Sequence, residues 1–66
     1  MKFLVTSRVE AIQLLRQEYK VEPVAAGYDK DKDLSVFYVK SRRVVMRPTG
    51  TQTANGSKQY LVTVEK

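Results

Sequence analysis

The chain has 66 residues, no cysteine and no histidine, and a formal net charge of +5 from twelve Lys/Arg against seven Asp/Glu. A domain this small buries only roughly 60% of the surface its unfolded chain exposes, so its stability margin is thin and covering a face with a partner or a second copy is favoured. Lacking histidine and cysteine, it has no residues for disulfides, thiolate metal sites, or Ser-His and Cys-His nucleophilic chemistry. The expectation is one non-catalytic domain spanning residues 1–66, with no cofactor and no metal site.

The first predicted element is a short strand over 2–6. Its three apolar residues after Lys2, Phe3-Leu4-Val5, are too few for a signal-peptide core, and no stretch approaches a membrane span, so a cytoplasmic location without a membrane partner is expected. Ser7-Arg8-Val9-Glu10 matches a capping box, with serine at the N-cap and glutamate three residues later. A helix follows to about Lys20, with Ala11, Ile12, Leu15 and Tyr19 as its apolar stripe and Leu14 at the flank. Pro23 stops it at or before Glu22.

Beyond Pro23 the pattern changes to strand. Residues 24–28 read as a weak strand because alanine and glycine pack poorly on a pleated surface. Residues 29–33 form an all-charged turn, and Leu34 to Val39 is rich in β-branched and aromatic residues. Lys40-Ser41-Arg42-Arg43 reads as a tight connection, although it lacks the asparagine or glycine a primed turn prefers. Val44-Val45-Met46 is the next strand, residues 49–57 a polar loop, and Lys58 to Glu65 the last strand, with Tyr60, Val62 and Val64 alternating against Gln59, Thr63 and Glu65. The order is β-α-β-β-β-β. The fold class this implies is α+β, a small antiparallel sheet of three to five strands with one amphipathic helix packed on one face. One helix covers only one face; the other meets water, a protein or nucleic acid.

Charge is unevenly distributed. Residues 1–39 carry six basic and six acidic side chains, whereas residues 40–66 carry six basic and one acidic. The candidate nucleic-acid contacts are therefore Lys40, Arg42, Arg43, Arg47 and Lys58. If Val44 and Met46 face the helix, Arg43, Val45 and Arg47 face away from it. Guanidinium groups on a strand suit bidentate phosphate contacts, and counterion release supplies the affinity. Phe37 and Tyr38 are neighbours and must face opposite sides of the sheet, so one is core and the other is free to stack on an unpaired base.

Two other motifs fail their tests. In residues 49–58 five residues rather than four separate the glycines and serine precedes the lysine, which breaks the phosphate-loop pattern. Asp29, Asp31 and Asp33 open like a calcium loop, but Leu34 and Lys40 stand where glycine and a bidentate glutamate belong. The leading expectation is a small basic module that binds DNA or RNA through the C-terminal strands. The alternative is a protein-interaction or self-associating module, with Val45, Leu61 and one of Phe37 or Tyr38 as its patch. In that alternative the arginines form an interface rim, or protect an edge strand, as Pro48 would suggest.

Overall fold

Ser7 has extended backbone (φ −156°, ψ 164°), and its Oγ accepts a hydrogen bond from the Glu10 amide at 3.2 Å. The Glu10 carboxylate reaches back to the amide of Thr6 at 2.8 Å, one residue earlier than in the reciprocal box. This cap starts helix α1 (Arg8–Tyr19), and Lys20 ends it in the left-handed conformation (φ 61°), its amide bonded to the Arg16 carbonyl. Arg16 holds Glu22 in the following linker through two contacts of 2.7 and 2.8 Å. That hydrogen bond keeps the Glu22 carboxyl below its ordinary range and carries the chain from helix to Pro23.

The computed structural model describes residues 1–65, and its strands are β1 (Lys2–Val5), β2 (Val24–Asp29), β3 (Leu34–Val39), β4 (Arg42–Gln52) and β5 (Lys58–Val64). All pairs are antiparallel, in the order β1-β5-β4-β3-β2. The α+β architecture and its single helix are as expected from sequence. Ala11 and Leu15 of the stripe are fully buried against Val5, Phe37, Val39, Val44, Met46, Val62 and Val64, with Ile12 and Tyr19 at the margin. Phe37 is the core member of the Phe37/Tyr38 pair; Tyr38 lies on the uncovered face. Among the described residues no helix is long and apolar enough to cross a membrane.

Three local expectations are corrected. Arg42 and Arg43 belong to β4, and the connection is the two-residue turn Lys40-Ser41. Residues 49–52 continue β4 instead of forming loop. Between Pro48 and Gln52 the strand carries extra residues relative to β5, and the Thr49 and Thr51 hydroxyls bond the carbonyl and side chain of Gln59 at 3.3 and 2.9 Å. Side chains there do what a regular ladder does elsewhere, and Gly50 supplies the positive φ (84°) the irregularity needs.

The third correction concerns the arginines. β4 is the central strand, and the edges are β1 and β2, so Arg42 and Arg43, which pair with β3, protect no edge; Arg47 lies one residue past the last pairing with β3. Pro48 is accommodated because it stands beyond the last residue of β4 paired with β3, Met46, where that side of the strand needs no amide donor.

Candidate nucleic-acid interface

Directly opposed residues in an antiparallel sheet share a face. The register therefore defines the uncovered face as three cross-strand rows. One runs Val24, Tyr38, Arg43, and on to Glu65. The middle row runs Gly27, Val36, Val45, Thr63, Lys2. The third holds Arg47, Leu61 and Leu4. Arg43, Val45 and Arg47 alternate against buried Val44 and Met46, as the period of two requires. Val45 is only 8% exposed although no element covers it, so the side chains around it close over it. The result is a buried valine between two arginines whose backbone positions are roughly 13 Å apart along the strand.

Three of the five candidate cations lie in the first six residues of β4, and a fourth lies just before it. Lys40 sits at the turn, Arg42 faces the helix side with its guanidinium 6.0 Å from the Tyr19 ring centre, and Arg43 and Arg47 stand on the uncovered face. The Arg43–Glu65 pair is long (3.8 Å) and its side chains are half exposed, which makes it worth about 0–1 kcal/mol and easily exchanged for a phosphate. Lys40 and Ser41 both have positive φ (49° and 65°), the type I′ geometry usually given to asparagine and glycine. Placing lysine and serine there costs about 1–2 kcal/mol per residue, which the basic side chain gains nothing from in packing.

Lys58 does not join this group. It pairs with Gln52 at the far end of β4, and its ammonium lies 3.5 Å from Asp33. There Asp33 accepts hydrogen bonds from Tyr60 at 2.7 Å and Tyr28 at 3.0 Å. Those hydroxyls, with Lys58, hold the Asp33 carboxyl below its ordinary range, and Asp33 in turn raises both tyrosines. This clip joins the β2–β3 turn to β5 across 27 residues of sequence, and no spacing rule could have found it. Beside it Arg8 lies 5.5 Å from the Phe37 ring centre and 5.7 Å from that of Tyr28, closing the helix side of the core. A cleft of about 340 Å³ lies there, floored by Ser35 and Met46.

Asp29 of the rejected calcium motif accepts from the amides of Asp31 and Lys32 within its own turn. Among the described residues no cluster of three or more metal-ligating side chains occurs. No protein-family model, curated protein or solved structure matches the chain.

Proposed function

We propose that the chain is a non-catalytic, cytoplasmic nucleic-acid-binding module that holds a phosphate backbone with Arg43 and Arg47 on the uncovered face and Lys40 at the adjoining turn. The observation that carries this reading is the placement of Arg43 and Arg47 on the uncovered face of the central strand. The backbone of Arg43 is held between β3 and β5, and that of Arg47 is paired with β5. Phosphate contacts fix position and affinity without reading sequence, so DNA and RNA are both expected ligands.

The test is a salt titration of binding to labelled DNA and RNA by fluorescence anisotropy. Three phosphate contacts predict log K falling against log salt with a slope of about −2 to −2.7. Replacing Arg43 and Arg47 together by alanine should weaken binding and reduce that slope by about 1.5–2, with the thermal midpoint unchanged. Absence of binding at low salt would overturn the reading.

A second reading rests on Leu4 (55% exposed) and Val24 (64%), which share the uncovered face with Tyr38. It makes this face a protein contact, with a second copy as one candidate partner and the arginines as its rim. Sedimentation at high concentration separates the two: a strictly monomeric mass removes the self-associating version.

A further inference from the structure

The chain has six aromatic residues, four tyrosines and two phenylalanines, and five of them are already committed. Phe37 is buried and Phe3 packs against the core. Tyr19 packs there too and lies beneath Arg42. Tyr28 and Tyr60 spend their hydroxyls on Asp33. Tyr38 remains, 46% exposed, on the uncovered face, directly opposite Arg43.

We infer that the nucleic acid held on this face is single-stranded, with an unpaired base stacked on Tyr38 and the flanking phosphates on Arg43 and Arg47. This rests on the phosphate-binding reading above and names the form of its ligand. Three features support the single strand over a duplex. Beside the two arginines lie the half-buried aliphatic side chains Val36 and Leu61 and the exposed Tyr38 ring, which suit the faces of bases; a duplex hides those faces in its own stack. The helix offers no groove-reading surface: its stripe is spent on the core, and Arg16 on its outer side is held by Glu22. The far end of the β4–β5 ribbon carries hydroxyl and amide side chains, and its one cation, Lys58, is engaged by Asp33. Charge complementarity favours a polyanion on the arginine-bearing rows, since a phosphate needs to displace only Glu65 from a 3.8 Å contact.

The experiment compares a labelled single-stranded oligonucleotide with its hairpin duplex at one salt concentration, for the unaltered chain, Tyr38→Ala, Tyr38→Phe and the Arg43/Arg47 double alanine variant. The expected result is tighter binding of the single strand. Tyr38→Ala should lose about 5- to 100-fold in affinity with its salt slope unchanged, because it removes stacking but no charge, while Tyr38→Phe retains binding. Tyr38→Leu keeps an apolar side chain at the position and repeats the test if the alanine variant does not fold. Equal or tighter binding of the duplex, or no effect of removing the ring, overturns this inference and leaves the phosphate reading standing. Loss of all binding, in the unaltered chain and at low salt, overturns both.

Discussion

The two faces of the sheet are built from the same strands yet are held to different rules. On the helix side, Phe37 and Val39 of β3, Val44 and Met46 of β4 and Val62 and Val64 of β5 are buried in one cluster with Ala11 and Leu15, and each contributes to a shared volume. On the other side, the intervening positions carry arginine, tyrosine, threonine and aliphatic residues that no helix covers. Substitutions on the first face act through packing. Those on the second should act through whatever binds there. The contrast is sharpest at Phe37 and Tyr38, consecutive residues of the same strand pointing to opposite sides.

That pair is the place to break the comparison. Phe37→Ala should cost about 3–5 kcal/mol, enough to unfold a domain with only a few kcal/mol in reserve. Tyr38→Ala should cost less than about 1 kcal/mol, because half-exposed positions rarely cost more. Urea unfolding of both variants decides it, and similar losses would mean that the uncovered face is also structural.

The Asp33 clip lies on the helix side but at its rim, and it makes stability depend on pH at both ends. The Asp33 carboxyl lies below its ordinary value in the fold, so its contribution is full above the unfolded value near 4 and lost as pH falls through the folded one. Tyr60 and Tyr28 are raised, so their contribution is full below about pH 10 and lost as pH rises through their folded values. Thermal midpoints across pH should therefore fall at both extremes. Asp33→Asn tolerates the same left-handed backbone (φ 52°) and should lower the midpoint at neutral pH while flattening the acid limb.

Smaller effects sharpen the contrast at the turn and the cap. Exchanging Lys40-Ser41 for Asn-Gly should recover about 1–2 kcal/mol of the left-handed cost, most of it at the glycine, while weakening nucleic-acid binding through the lost charge. A gain in both properties would separate Lys40 from the interface. Ser7→Ala should cost about 1 kcal/mol by freeing the Glu10 amide, with no change in binding. Arg43→Ala alone should move stability by no more than about 0.5 kcal/mol. Denaturant midpoints, measured beside anisotropy, check all three.

Local rules decided much of this in advance. The Ser7 cap, the Ala11-Leu15 stripe, the stop before Pro23 and the opposite phases of Arg43/Arg47 and Val44/Met46 follow from periods of 3.6 and two, which neighbouring residues enforce on each other. The candidate interface was legible to the same extent: which cations share a face along one strand can be counted from the sequence. Tertiary structure alone decided the strand order. It placed β4 in the centre instead of at an edge, set β1 beside β5, and carried Lys58 away from the arginines to Asp33. It also brought Tyr28 and Tyr60 to one carboxylate, and kept residues 49–52 in the sheet through threonine hydroxyls on Gln59. Those outcomes depend on pairings between distant segments, where the gain comes from burying one common core and local periodicity carries no information about which strands meet.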